Sequence, residues 1–322
     1  MNKIFQRNSR ALNWLLFLCL IGTGCQSNTC SFEPQICFAP PPFLIESLPT
    51  PFAPLTLVER SQDWGKELYL ARSFAKEMDL YRALTCFKSA LFLIPRSHDR
   101  RIEIEYEIFF AYYVANKYRE AVEAFEGSRL IEAPDDFPVM RDLLIALHDS
   151  YIKVEMPERA CRVMALIETI DAEVASNLNL ENAVIDADFP KIINLGACSK
   201  SNEPVSEFLT DYYMGAKSIN QAKFLNAILP GAGYYYVGQK KSAVTSFLIN
   251  ALFIAAAYQL FDRGYVAGGI IVTSLEAGWY FGGINGAGLE AKQYNEILYG
   301  RVGTEMLAKE RLFPILMIQK GF

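Results

Sequence analysis

Apolar positions recur with a helical period between about Trp64 and Val174, and the same pattern returns three times. Each copy has an apolar cluster on a first helix, then a small residue followed four positions later by a large one on a second helix. Because each helix pair carries an apolar stripe too wide to bury alone, neighbouring pairs must stack. The pattern predicts stacked helical hairpins over residues 61–175. The second-helix pairs are Ala83 with Phe87, Ala121 with Phe125 and Ala160 with Met164, so the copies lie about 38 residues apart.

This arrangement resembles the tetratricopeptide repeat, in which a small residue lets the two helices of a pair approach. The copies depart from the usual 34-residue spacing, and Phe109 and His148 stand where that repeat has a small residue. The resemblance implies a concave groove, lined by the first helices, that binds a protein or peptide. The groove positions that it implies are Leu68, Arg72, Lys76, Tyr106, Phe110, Tyr113, Asp149 and Lys153.

A second hydrophobic pattern predicts two membrane-spanning helices. Residues 242–261 carry no formal charge over about 20 positions, the length that crosses a hydrocarbon core. A polar turn follows, and residues 265–287 form another apolar stretch with one carboxylate, Glu276. An acid at bilayer depth is costly, so Glu276 either pairs with a polar neighbour such as Asn250 or handles ions. The predicted fold class is therefore all-α, a TPR-like helical-hairpin solenoid followed by a transmembrane helical hairpin.

Glycines in and before this hairpin predict close helix packing. Gly278, Gly282 and Gly286 recur every four residues, which would let a partner helix, including that of a second copy, approach closely. The segment before the hairpin resembles the Pro-Gly-x-Gly-x-x-Tyr-x-x-Gly signature of small bacterial two-helix membrane domains, with the last glycine one position early. The residues that carry this resemblance are Pro230, Gly231, Gly233, Tyr236 and Gly238.

The first 25 residues have the order of an export signal. Basic residues precede an apolar run at 11–21, and small residues then lead to Cys25. This resembles the lipobox at which bacterial lipoproteins are cleaved and lipidated, although Gly22 replaces the usual leucine. The resemblance implies a lipid on Cys25; ordinary cleavage, an uncleaved anchor and a plain helix are the alternatives.

An exported chain would hold its repeats in the periplasm, and this conflicts with one feature of the hairpin. Lys240 and Lys241 precede the first span, and the positive-inside rule would keep them on the cytoplasmic side. Either residues 224–238 dip into the membrane and alter the number of crossings, or the N-terminal run is not an export signal, or strong hydrophobicity overrides the charge rule. We favour export, because the charged, apolar and small-residue regions of the signal occur in the right order.

The remaining segments are assigned by composition. The proline-rich residues 26–60 predict an extended linker that holds the repeats away from a membrane surface. The other expected segments are a linker or cap at 176–205, an amphipathic helix with a Pro/Gly interfacial segment at 206–241, the hairpin at 242–288, and a C-terminal helix and tail at 289–322.

Composition narrows the classes of function. The 322-residue chain is 52% hydrophobic with a mean hydropathy of +0.12, which fits a partly lipid-facing surface, and its net charge of −5 argues against nucleic acid as a partner. The seven cysteines include no CxxC pair, so a zinc site is not expected. In an exported protein Cys30 and Cys37 could form a disulfide, whereas Cys86 and Cys161 resemble small core residues.

No enzymatic constellation emerges from the sequence. The glycine-rich segment lacks the lysine of a P-loop and the third glycine of a dinucleotide motif. His98 and His148 have no nucleophile or carboxylate in a recognised arrangement. We therefore expect no enzyme activity and no cofactor. The predicted function is a membrane-attached protein-binding scaffold of the bacterial cell envelope. The alternative is a transport or membrane-assembly component that works through the hairpin and Glu276.

Overall fold

The computed structural model describes residues 32–134, 136–197 and 202–322 of the chain. The chain divides into two compact units, Met1–Glu33 and Pro34–Phe322, and everything below concerns the second. That unit is built from α-helices, and its described residues contain no strand. The predicted all-α class is therefore confirmed.

The repeat region is a series of short helices. These are α1 (Pro42–Glu46), α2 (Leu57–Ser61), α3 (Asp63–Lys76), α4 (Leu80–Leu93), α5 (Arg100–Val114), α6 (Tyr118–Glu126), a 3₁₀ turn (Arg129–Glu132), α7 (Met140–Lys153), α8 (Pro157–Ile170), α9 (Ala172–Ile185) and α10 (Phe189–Ala197). The C-terminal region follows with α11 (Asn202–Gly215), α12 (Ile219–Ile228), α13 (Ala232–Val237), α14 (Lys240–Asp262), α15 (Val266–Lys309) and α16 (Pro314–Met317).

Three turns of the repeat region share one backbone conformation. Met78, Asn116 and Glu155 each follow the first helix of a pair and have φ values of 56°, 57° and 60°. In each turn the next amide, as in Asp79 N–H to Phe74 O, bonds a carbonyl of the helix's last turn. A left-handed residue placed this way ends a helix and reverses the chain. The three residues keep the spacing of about 38 found in the sequence pattern.

The helices pack in chain order, α3 on α4, α5 on α6 and α7 on α8. Ala83, Ala121 and Ala160, the small residues of the sequence pattern, are fully buried. A further pair, α9 and α10, extends the stack into the segment predicted as a linker or cap. That segment is helical because Leu178 and Leu180 provide apolar side chains that α9 buries.

Two largely non-helical segments cover one side of this stack. We name residues 34–56 the strap and residues 310–322 the tail. The strap was predicted to be extended and to act as a tether, and residues 34–41 do contain no helix. It does not stand free, however, because Ile45 and Phe52 are buried against the rest of the unit. The tail likewise buries Phe313 and Phe322.

The C-terminal region contains the predicted membrane segment. Among the described residues, Lys240–Asp262 (α14) is the one helix long and apolar enough to cross a membrane, by length and composition. The predicted second span lies in the first half of α15, where glycines, Trp279, Tyr280 and Glu276 lower the average hydropathy. The two helices are joined by a turn at Gly264, whose φ is 81°, and they pack against each other.

Candidate functional site

The centre of the predicted groove is filled by the chain itself. We name the surface formed by the first helices of the pairs, α3, α5, α7 and α9, the inner face. On it, Leu68, Tyr106 and Phe110 are fully buried. The ring of Phe52 from the strap meets Tyr106 edge-on at 5.8 Å. The strap and tail therefore cover the central positions, Tyr106 and Phe110, of the predicted partner groove.

The last residue of the tail lies between an aromatic ring of the inner face, on α5, and one on α4. The Phe322 ring is 5.1 Å from that of Phe110 and 6.4 Å from that of Phe87, measured between centroids. The Thr50 hydroxyl of the strap donates to Phe322 O at 2.7 Å, and Gly321 N–H donates to Pro49 O at 3.1 Å. Strap and tail thus bind each other as well as the helices.

The inner face also binds the main chain of the tail. The Oδ2 atom of Asp142 accepts the N–H groups of Gln319 at 3.0 Å and Lys320 at 2.8 Å. Arg141 Nη1 donates to Met317 O at 2.9 Å. Burial raises the pKa of Asp142, and the two amide bonds and Arg141 oppose that shift. These three bonds all go to main-chain atoms of the tail, so they do not depend on which side chains the tail carries.

Arg72 and Lys76 lie at one end of the covered centre. They line a cavity of about 300 Å³ together with strap residues such as Phe52 and Leu55. Arg72 Nε donates to Glu107 Oε1 at 2.7 Å and its Nη2 to Glu103 at 3.2 Å. Arg72 is thus held by two carboxylates, whereas the Lys76 side chain is exposed.

Glu107, behind Arg72, was not singled out in the sequence. It is fully buried, and burial raises its pKa to about 7 while Arg72 opposes the shift. Its Oε2 atom and the hydroxyl of Tyr106 have no hydrogen-bond partner within the described ranges. The burial of Glu107 could not be predicted from residues 103–108, because acidic side chains on helices are usually exposed.

Tyr113, Asp149 and Lys153 lie at the other end of the inner face. They line a cavity of about 490 Å³ that the strap and tail border. The Tyr113 hydroxyl donates to Asp149 Oδ2 at 2.9 Å. Glu181 of α9 lines the same cavity, and the sequence had not marked it. The eight predicted groove positions thus divide into a covered centre and two open ends, and whether they bind a partner stays a prediction.

Of the two polar residues predicted to lie inside the hairpin, Asn250 is buried and Glu276 is half-buried. The Nδ2 atom of Asn250 donates to Ser246 O at 2.6 Å within α14. The Oδ1 atom of Asn250 and the Oε2 atom of Glu276 are buried without a hydrogen-bond partner in the part of the chain that the structure describes. The expected contact between these two side chains is therefore not among the hydrogen bonds seen.

Nearby, buried amide and glycine positions bring α12, α13 and α15 together. Asn226 Oδ1 accepts the Gly231 N–H at 2.9 Å, and the left-handed φ of 95° at Gly231 places that amide. A side-chain carbon on Gly233 would lie 2.2 Å from Ala222 O, so this glycine permits a close approach. By contrast, Gly278 and Gly282 face open space, and their predicted role in self-association stays a prediction.

The structure describes three of the cysteines that the sequence analysis singled out, Cys37, Cys86 and Cys161. Cys25 and Cys30 lie outside the described residues, so lipidation and the Cys30–Cys37 bridge stay predictions; Cys37 is exposed. Cys86 is half-buried, and burial, with Glu67 nearby, raises its pKa. The core assignment of Cys161 was wrong: it follows the buried Ala160 and therefore points outward from α8.

The two histidines lie in packed surroundings. The His98 ring lies 4.8 Å from that of Trp64, and the buried His148 bonds Ala160 O through Nδ1 at 3.1 Å. Burial lowers the pKa of His148. In the described residues no three His, Cys, Asp or Glu side chains are grouped to hold a metal ion.

No protein-family model, curated protein sequence or solved structure matches this chain.

Proposed function

We propose that the protein is a membrane-attached scaffold of the bacterial cell envelope, whose TPR-like repeat domain binds an extended polypeptide on its inner face. The observation that carries this proposal is the way in which the inner face holds the tail. Asp142 accepts two successive backbone amides, and Phe110, together with Phe87 of the neighbouring α4, contacts the terminal aromatic ring. A surface with these contacts suits any extended segment that ends in an aromatic side chain.

The tail then acts as a ligand within the chain. A partner segment that binds the centre of the inner face must displace Phe322, whereas a segment at either open end need not. A buried phenylalanine contributes roughly 1.5–3 kcal/mol through the apolar area it removes from water. A partner that makes comparable apolar contacts could therefore displace Phe322.

Attachment to a membrane rests on α14 and its neighbours. The helix leaves Leu248, Leu252 and Ile254 more than half exposed, and only 11% of its most apolar stretch is buried. Such a surface is stable in lipid and costly in water. The first half of α15 would complete a transmembrane hairpin, and a lipid on Cys25 would give a second attachment, with the repeats in the periplasm.

A labelled peptide with the sequence of residues 312–322 tests the scaffold proposal. We expect this peptide to bind the full-length Phe322→Ala variant in detergent at least tenfold more tightly than the unchanged protein, because the variant's own tail competes less well. Gln319→Ala is the matched control, since the Gln319 side chain is exposed and only its backbone N–H contacts Asp142. Equally weak binding to Phe322→Ala and to the control would contradict the proposal, provided that circular dichroism shows both folded.

The second candidate function is transport or membrane assembly by the hairpin. The observation that favours it is the pair of buried oxygens, on Asn250 and Glu276, that lack partners among the described residues. Glutamine keeps the shape of Glu276 but cannot carry its charge, so a proton- or ion-handling role predicts that Glu276→Gln abolishes function. Complementation by Glu276→Gln at normal abundance would reject this candidate, while loss of function with an intact peptide-binding face would favour it over the scaffold.

A further inference from the structure

The cavity at the Tyr113 end of the inner face has the size and lining of a ligand site. Its volume is about 490 Å³, within the range usual for small-molecule pockets. Strap, tail and the helices α5, α7 and α9 all contribute to it. Most of its walls are apolar or aromatic, as at Ile45, Tyr118 and Phe313.

Two carboxylates lie in this lining. Asp149 is 8% exposed, and one of its oxygens accepts the Tyr113 hydroxyl at 2.9 Å. Glu181 is 4% exposed and makes no hydrogen bond or ion pair with any described residue. Burying a carboxylate without a partner costs several kcal/mol, whether it stays charged or takes up a proton. Burial, with Asp149 nearby, accordingly raises the pKa of Glu181 to about 8.

The charge of Lys153, the basic side chain of the lining, opposes the raised pKa values of Asp149 and Glu181, but Lys153 does not pair directly with either acid. Lys153 is exposed at the rim and forms no ion pair with Asp149 or Glu181. The cavity lining therefore contains two buried acidic side chains and one basic side chain, which is exposed to solvent. Two carboxylates are also too few to enclose a calcium or zinc ion, which needs more ligands. An organic cation that donates hydrogen bonds would fit Glu181 better than a metal ion.

We propose that this cavity binds a guanidinium or ammonium group carried on an apolar stem, with Asp149 and Glu181 as its counter-ions. The cation would donate to the unpartnered oxygens of Glu181, and its stem would lie against the aromatic walls, which also attract cations. This inference rests on the proposed function, because it takes the inner face to be a ligand surface. The same chemistry occurs in an arginine or lysine side chain of a bound peptide and in a free amine.

Titration calorimetry on the full-length protein in detergent tests the site with two probes. One probe is benzylguanidinium, and the other is a blocked pentapeptide, Ala-Leu-Arg-Leu-Ala. We expect at least one of them to bind the unchanged protein, and we expect Glu181→Gln and Asp149→Asn each to weaken that binding by about tenfold or more, as for lost charge-assisted hydrogen bonds. Glu158→Gln, which alters an exposed acid on α8, should leave binding unchanged.

The outcomes separate this site from the scaffold as a whole. Preference for the pentapeptide identifies a side chain of a bound polypeptide as the natural cation, and preference for benzylguanidinium identifies a free small organic cation. Failure of both probes to bind the unchanged protein overturns the cation site. The cation site is also overturned if Glu181→Gln and Asp149→Asn bind the probes as tightly as the unchanged protein does. If the tail peptide still binds Phe322→Ala in those cases, the scaffold proposal survives without this site; if it does not, both fail.

Discussion

The repeat region buries many of its large apolar side chains, whereas α14 exposes many of its own. Phe110 is fully buried under the tail, whereas Leu252 is 69% exposed on α14. In the repeat region the apolar stripes of neighbouring helices pack against one another. The strap and tail then cover the apolar side chains that remain on the inner face. Around α14 nothing in the described chain covers the outward side chains. The difference shows that the repeat region forms its own apolar interior, while the described residues leave much of the apolar surface of α14 uncovered.

The largest expected effect is at the centre of the inner face. Phe110→Ala should lower the free energy of unfolding by about 3–5 kcal/mol, because it leaves a cavity among packed rings. The matched control is Phe92→Ala on α4, where the ring is 89% exposed and the change should be close to zero. Both are measured by chemical unfolding followed by circular dichroism. Similar losses in the two variants would mean that the inner face is not the core of the repeat region.

The same comparison can be tested by placing a charge on each surface. Leu252→Arg should reduce membrane integration, since an arginine at the centre of a spanning helix costs about 2.5–3.5 kcal/mol. Phe92→Arg, equally outward-facing but in the repeat region, should leave the protein's distribution unchanged. Fractionation with carbonate extraction measures both variants. If Leu252→Arg stays fully integrated and folded, α14 does not face lipid.

A smaller effect is expected where helices of the C-terminal region touch. Gly233→Ala should cost about 1–3 kcal/mol, because the added carbon would meet the carbonyl of Ala222 and the structure would have to shift. Gly282→Ala, with open space at the same atom, is the control. Thermal melting in detergent compares them. A loss at Gly282 equal to that at Gly233 would instead point to an intermolecular contact on the open glycine face.

The smallest effect concerns the link between strap and tail. Thr50→Val removes the hydroxyl that donates to Phe322 O and should cost about 0.5–1.5 kcal/mol, the usual net value of one hydrogen bond. Thr85→Val is the control, because the Thr85 hydroxyl bonds Tyr81 O within its own helix. Chemical unfolding gives both values. The variant should also bind the labelled tail peptide more tightly, and failure to do so would show that the link does not hold the tail in place.

Local periodicity was enough to predict the helices between residues 61 and 175 and their small crossing residues, but not the helices within 176–205. Ala83, Ala121 and Ala160 are buried because the spacing of apolar positions fixes which side of each helix faces its neighbour. The position of α14 also followed from a run of uncharged residues. Both features depend on residues close together in the chain, which the sequence displays directly.

The covering of the inner face could not be predicted in this way. Thr50 and Phe322 meet across 272 positions, and nothing in either segment's own pattern specifies that contact. For the same reason the aromatic groove positions could be predicted but their burial could not, and Glu181 was not recognised as a site residue. An acid in an apolar helix becomes informative only when the elements packed around it are known.

The length of α15 has an electrostatic consequence. On the proposed membrane arrangement the second span ends near Ala287, and the same helix contacts Val184 and Phe208 at Gly303. Sixteen residues of helix cover roughly 24 Å, at 1.5 Å per residue. The headgroup layer takes up about 6 Å of that distance, so roughly two screening lengths of about 8 Å each separate the headgroups from this contact at physiological salt. Anionic headgroups at the bilayer surface would therefore have little influence on which cations reach the repeat region, so its ligand preference should be the same in neutral and in charged membranes.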